Sequence, residues 1–260
     1  VDDVHGKVWH SAEFRCYEEL NDFLPPEWRK RSFERPFTGN PSVKDVLEAL
    51  GVPHTEIDLI VVDGVSVGFD HRLEGGERVA VYPMFEQLDI SPVVRLRPAP
   101  LRVTRFVLDV HLGTLARYLR LIGFDSVWRN DLDDRTIISI AAEERRIILT
   151  RDRGILRNGR VTHGYWLRAI DPLEQLDEVV KRLDLGAQMK PYTRCLECNG
   201  TFVPIDRDTA AAACVPERVL GLRSEFWRCE QCGRVYWHGT HQPSLDAIVA
   251  RARMAAEERS

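Results

Sequence analysis

Apolar positions change their period several times along the chain, and each change marks an element. Lys7–Phe14 and Asp58–Val62 alternate or run β-branched and predict strands, and Arg78–Tyr82 predicts a closing strand. Between them Ser42–Leu50 has helical spacing. Val43, Val46, Leu47 and Leu50 share one face, Ser42 precedes them as an N-cap, and Gly51 ends them. The expected order is ββαββ. A proline-rich stretch from Ser91 to Pro100 then predicts a semi-rigid linker.

From Arg105 the pattern becomes strand, helix, strand, helix, strand. Residues 105–110 form a short buried-strand signal, and Leu112, Leu115, Ala116, Leu119 and Ile122 recur at helical spacing until Gly123. Phe124–Arg129 predicts a second strand. Asp134 is expected to cap a helix through Arg145 with Ile137, Ile138, Ala141 and Ala142 on its apolar face, before a third strand at Arg146–Thr150. Alternation at this spacing predicts a parallel sheet with crossover helices. Gly164–Ile170 predicts one more strand. Asp171 and Pro172 are a cap and first residue for a helix carrying Leu173, Leu176, Val180 and Leu183. A last helix is expected from Pro243 to about Glu258.

The 260 residues exceed one ordinary compact domain, and 44% apolar with 29% charged residues is the composition of a soluble globular protein. No apolar run approaches the roughly 18 residues of a spanning helix, and the leading Val-Asp-Asp-Val-His has no signal-peptide pattern, so no membrane association and a cytoplasmic location are expected. A formal net charge of -4 does not suggest a nucleic-acid binder, but arginines crowd residues 102–168. Read singly, most such arginines belong on solvated helix faces.

Three aspartates fall where predicted strands end or helices begin: Asp109, Asp134 and Asp152, with Asp131 and Asp133 nearby. Such ends share one edge of a parallel sheet, so the carboxylates can converge. Their mutual repulsion then calls for a divalent cation, and Mg²⁺ or Mn²⁺ suits oxygen ligands beside a phosphate. Taken one at a time, Asp134 serves equally as a helix cap, Asp131 as a turn residue and Asp109 as a strand end without a role.

Phe106-Val-Leu-Asp109, Leu112-Gly-Thr-Leu-Ala-Arg-Tyr-Leu-Arg-Leu-Ile-Gly-Phe-Asp125, Asp133-Asp134 and Ile148-Leu-Thr-Arg-Asp-Arg153 together resemble the Mut7-C RNase family, a branch of the PIN-like nucleases. The resemblance continues through Arg194-Cys-Leu-Glu-Cys-Asn199 and Phe226–Trp237. It implies an α/β fold with an N-terminal ubiquitin-like β-grasp domain (1–90), a linker (91–103), a PIN-like parallel sheet with flanking helices (104–190), a zinc ribbon (191–241) and a C-terminal helix (242–260). It also implies catalytic metal-binding acids at Asp109, Asp134 and Asp152, with Asp131 or Asp133 as the fourth. RNA as substrate follows from the resemblance alone, and structured RNA such as transfer RNA is one candidate. Arg117, Arg120, Arg151 and Arg153 are candidate phosphate contacts, since arginine presents a planar fork of donors.

The N-terminal unit, through Asp58-Leu-Ile-Val-Val-Asp-Gly64 and Leu73-Glu-Gly-Gly-Glu-Arg-Val-Ala-Val-Tyr-Pro83, also resembles sulfur-carrier β-grasp domains. A carrier ends in a free Gly-Gly carboxylate, whereas this chain runs on past Pro83, so a structural or docking role, with a possible protein partner, is expected in place of thiocarboxylate chemistry.

Of six cysteines, Cys195, Cys198, Cys229 and Cys232 form two Cys-x-x-Cys pairs thirty residues apart, the spacing of a closed tetrahedral Zn²⁺ site. Four thiolates leave no open position, so a structural metal is expected, with the intervening residues looped out. Phe226, Trp227, Tyr236 and Trp237 either stack on bases or pack the ribbon.

The expected activity is metal-dependent hydrolysis of RNA phosphodiester bonds. Two other classes compete. One is a non-catalytic RNA-binding adaptor, distinguished by indifference to loss of Asp109. The other is a phosphatase with Asp109 as covalent nucleophile, which usually wants an acid where His111 stands.

Overall fold

The computed structural model describes residues 8–83, 103–240 and 242–258. Lys7 and the 91–100 linker lie outside the described residues. Two compact units result. One is drawn from the chain up to Arg102 together with Asp152–Trp166, and the other from Val103–Arg151 together with the chain from Leu167 onward.

In the first unit β1 (Trp9–Cys16), β2 (Phe33–Thr38), β3 (Ile57–Val62), β4 (Val65–Val67) and β5 (Arg78–Pro83) form one sheet in the order β2-β1-β5-β3-β4. The central pair β1 and β5 is parallel and the other pairings are antiparallel. Alternation does the sorting, since Ala12, Phe14 and Cys16 turn inward from β1 while Val79 and Val81 do so from β5. Helix α1 (Val43–Ala49) adds Val43, Val46 and Leu47 to the same core. It starts where expected, through a capping box in which Ser42 and Asp45 satisfy each other's backbone N–H. The hairpin strand β4 is one element more than the predicted ββαββ. This is the ubiquitin-like β-grasp arrangement.

The second unit is built on β6 (Arg105–Leu108), which pairs in parallel with β7 (Asp125–Val127) on one side and β8 (Ile147–Thr150) on the other. Phe106, Val107 and Leu108 are wholly buried, as a strand covered on both faces requires. Crossover helices α2 (Gly113–Leu121) and α3 (Asp134–Glu144) supply Leu115, Leu119 and Ile137 to that core, whereas Ala142 of α3 faces solvent. Downstream of the short helix α4 (Arg153–Leu156) and strand β9 (Gly164–Trp166), helix α5 (Pro172–Arg182) begins at an Asp171 cap bonded to Leu173 N and Glu174 N. It packs against the C-terminal helix α8 (Gln242–Glu257), and Arg251 of α8 forms an ion pair with Asp177 of α5 at 2.7 Å.

Between α5 and α8 lies a small three-stranded sheet of β10 (Phe202–Ile205), β11 (Phe226–Cys229) and β12 (Val235–Tyr236). The residues separating the two cysteine pairs are not a simple loop. They form α6 (Arg207–Ala212) and α7 (Glu217–Leu222), whose Ala210 and Leu220 bury Phe226 in a satellite core. Among the described residues no helix is long and apolar enough to cross a membrane.

Gly123 terminates α2 in the left-handed region at φ +100°. The chain leading into the ribbon crosses it closely, with Lys190 N bonded to Ile122 O and Tyr192 N to Leu121 O. A Cβ at position 123 would collide with the Lys190 backbone. Gly123→Ala should therefore lower stability by about 2 kcal/mol or more, from backbone strain plus displacement of that crossing, read as a lower midpoint in urea denaturation.

Candidate functional site

Because β6, β7 and β8 are parallel, their C-terminal ends lie along one edge; Asp109 and Asp152 follow β6 and β8 closely, whereas Asp131 to Asp134 lie in the longer connection from β7 to α3. Asp109 directly follows β6. Its N–H donates to Leu149 O, and its Oδ2 accepts from Thr150 Oγ1 at 2.8 Å, which fixes the carboxylate at the end of the central strand. The loop after Asp109 is sealed by Trp128, whose indole N–H donates to Val110 O at 3.0 Å. Its ring presses on Gly113, where a Cβ would come within 2.6 Å of it.

After β7 the chain carries Asp131, Asp133 and Asp134, all exposed. The cap of α3 is Asp133, not Asp134. Its Oδ1 accepts from Thr136 N at 2.8 Å and is held below the usual carboxylate range by that bond. Asp134 is the first helical residue and is thereby released from the capping role. Asp131 pairs with Arg129 at 3.1 Å. Asp152, two residues beyond β8, caps α4 by accepting from Gly154 N at 2.7 Å. Among the described residues, no three carboxylates gather as closely as the cysteines described below.

Two of the four candidate phosphate arginines have other employment. Arg120 was expected on a polar helix face, but it is only 2% exposed. Its guanidinium donates to Ser126 O and to the Leu196 and Glu197 carbonyls at 2.9–3.0 Å, so it joins α2 and β7 to the first cysteine knuckle. Arg153 lies 3.9 Å above the centre of the Trp166 ring and 4.9 Å from that of Phe23. Arg117 remains exposed beside Glu197 at 3.4 Å, and Arg151 is exposed.

The cysteines do assemble. Ligand atoms of Cys195, Cys198, Cys229 and Cys232 all lie within 4.8 Å of one another, with Sγ separations of 3.8 Å for Cys195 to Cys232 and 3.3 Å for Cys198 to Cys229. Tetrahedral Zn–S bonds of about 2.3 Å place sulfurs roughly 3.8 Å apart, so the donor set fits that ion. The knuckle backbones are turned toward the sulfurs. Burial opposes ionisation of Cys195, but bonds from Tyr236 OH and from the Cys198 and Glu197 N–H groups outweigh it and bring the thiol down to about 7. Burial, with the neighbouring thiols, pushes Cys198 up to about 12. Four cysteines at this spacing could hold a structural metal ion such as Zn²⁺.

Sequence reading missed the junction that carries the ribbon. Asp125, at the start of β7, accepts from Arg146 Nη1 at 2.7 Å and from Asn199 Nδ2 at 2.7 Å, while Asn199 Oδ1 takes the Ser126 N–H. Asn199 follows the first knuckle in the left-handed region, the one local signal that it had a special position. Of the ribbon aromatics, Phe226 is core, while Trp227, Tyr236 and Trp237 line a cleft of about 200 Å³ with Tyr192 of the preceding chain and Leu245 of α8.

A β-grasp unit joined to a parallel α/β sheet and a four-cysteine metal ribbon defines the class of protein. The Mut7-C RNAse domain model matches residues 104–249 and the Mut7-C ubiquitin model residues 9–89, so the chain belongs to the Mut7-C RNase family, a family of nucleases. No curated protein and no solved structure matches it.

Burial raises the Asp125 pKa, but bonds from Arg146 and Asn199 dominate and hold it below the usual range. A depressed folded-state pKa stabilises fully above the unfolded value of about 3.9 and is lost as pH falls through the folded value. Asp125→Asn should therefore cost about 2 kcal/mol at pH 7, and its deficit should shrink as the pH drops below about 4, measured by denaturation at a series of pH values.

Proposed function

We propose that this protein is a PIN-type ribonuclease that hydrolyses RNA phosphodiester bonds with Mg²⁺ or Mn²⁺ held by Asp109, Asp134 and Asp152, with Asp131 as the fourth acid. The observation that carries the reading is the Asp109 carboxylate, fixed by Thr150 at the C-terminal end of the central parallel strand within the region matched by the RNase family. Mg²⁺ keeps several waters, so some of these four carboxylates would act on it through bound water, and a closed cage of carboxylates is not required of the free protein. The bound ion would supply charge neutralisation at the phosphate and a more acidic water.

The protein's own contribution is placement. Thr150 donates to one Asp109 oxygen and orients the carboxylate, and Trp128 closes the loop behind it. Arg117 and Arg151, both exposed, are proposed to meet RNA phosphates, with structured RNA such as transfer RNA as the proposed substrate class. The four cysteines would hold Zn²⁺ as a closed structural site, and residues 104–190 with the ribbon at 191–241 are the proposed working unit. Cytoplasmic location belongs to the same reading.

Incubation with total RNA should give cleavage that EDTA abolishes and Mn²⁺ restores. Asp109→Ala should lose at least on the order of a hundredfold in rate while retaining RNA binding, and Thr150→Val about tenfold, since partners that orient a ligand typically cost that much. Cleavage unchanged in Asp109→Ala would instead support an RNA-binding adaptor, a reading favoured by the cysteines being the group that assembles closely. Elemental analysis should find one zinc per chain, lost in Cys229→Ser together with stability.

A further inference from the structure

We propose that the ubiquitin-like domain is an intramolecular clamp that positions the segment carrying Asp152, with Glu56, His54 and Trp166 as positioning residues. This rests on the reading of Asp152 as one of the metal-binding acids. The chain from Asp152 to Trp166 packs with the β-grasp unit. Its contacts are specific at both ends.

At its start, Arg153 lies over the faces of Trp166 and Phe23, whose ring centres are 5.1 Å apart, and its Nη2 donates to Asp22 O at 3.3 Å. Phe23 belongs to the β-grasp core, and Trp166 packs against that core. The cation adjacent to Asp152 is thus held by β-grasp residues. An arginine plane over aromatic faces combines stacking with attraction to the ring quadrupole, which lysine does not reproduce.

At its end, Trp166 N–H donates to Glu56 Oε1 at 2.7 Å, and Glu56 is only 1% exposed. A buried carboxylate is tolerated where donors meet it, and one of those donors comes from this segment. Midway, the Val161 carbonyl lies 2.9 Å from His54 Nε2, while His54 Nδ1 lies 2.7 Å from Glu48 Oε1 of α1. Ile155, Leu156 and Val161 are buried between these anchors. Asp152 itself is locked to the segment by its own bond to Gly154 N. Movement of the segment is therefore movement of the acid.

A misplacement of about 1 Å at a catalytic group costs on the order of a hundredfold in rate. A sulfur-carrier domain of this shape works through its free C-terminus, whereas here the fold's polar and aromatic groups grip another part of the same chain. That assigns the domain a task inside the molecule.

The test uses the full chain with Mg²⁺ and a labelled RNA, comparing Glu56→Ala, Glu56→Gln and Arg153→Leu with Asp152→Ala and Asp109→Ala. Amide hydrogen exchange over residues 152–166 is followed in parallel. Glu56→Ala should speed exchange in that segment and lower kcat tenfold or more with KM within about twofold. Glu56→Gln, which keeps an acceptor for Trp166 N–H, should recover most of the loss. Arg153→Leu keeps the β-grasp core and should reproduce the kcat effect if Glu56→Ala does not fold. Faster exchange with unchanged kcat would overturn the clamp while leaving the nuclease reading intact. A raised KM with unchanged kcat in Arg153→Leu would also overturn it, since that makes Arg153 an RNA contact. If Asp109→Ala and Asp152→Ala both cleave normally, the nuclease reading itself fails, and the clamp of a catalytic acid fails with it.

Discussion

The bond between Asp125 and Arg146 fixes the geometry of the C-terminal half. Asp125 opens β7 and Arg146 immediately precedes β8, so the pair spans the sheet beneath β6 at its N-terminal edge, and Arg146 also reaches the Phe106 carbonyl. Such a pair is costly to bury, and breaking it by removing one partner is costlier still. Here Asn199 Nδ2 donates to the same Asp125 Oδ1 that accepts from Arg146, and Arg194 approaches Oδ2 at 3.9 Å, both residues flanking the first cysteine knuckle. The ribbon is therefore attached at the N-terminal edge, while Asp109 stands at the C-terminal end of β6, which at about 3.3 Å per residue is roughly 10 Å away. The cysteine cluster and Asp109 thus belong to opposite edges of one small sheet.

What could be read from sequence was what neighbours in sequence decide. The Ser42 and Asp171 caps, the Gly123 stop and the Cys-x-x-Cys knuckles each depend on residues within four positions, and each formed as expected. Asp133 and Asp134 show the limit of local reading. Either aspartate can cap a helix, and the choice went to the one whose backbone stays extended, at φ -85° and ψ 165°. Arg120 shows a different limit. It follows Ala116 by one helical turn and so lies toward the apolar face, but a guanidinium can be buried there only because carbonyls more than seventy residues away receive it. The same holds for Arg153 and the Trp166 N–H: periodicity placed the Gly164–Trp166 strand in the sheet with β8, as observed, but could not name Phe23, Asp22 and Glu56 as the partners of these groups. Long-range acceptors leave no trace in a local pattern. For the acids, sequence established only their place relative to the strand ends, and among the described residues no three carboxylates gather as the cysteines do.

The dense arginines of residues 102–168 now divide by partner. Arg120, Arg146 and Arg153 are committed to carbonyls, carboxylates and rings within the fold, and that commitment is what the folded state gains from them. Arg117 is different, because its partner Glu197 is also exposed and a solvated pair of this kind contributes little. Under the nuclease reading proposed above, it would exchange Glu197 for a phosphate at small cost, as would Arg129, which is paired with the exposed Asp131 at 3.1 Å. The net charge of -4 gives the molecule as a whole no excess of positive charge for a long electrostatic grip on a nucleic-acid backbone. Under that same proposed nuclease reading, binding would then rest on a small number of phosphate contacts near Asp109, and selectivity on the shape of the RNA that can reach the sheet edge.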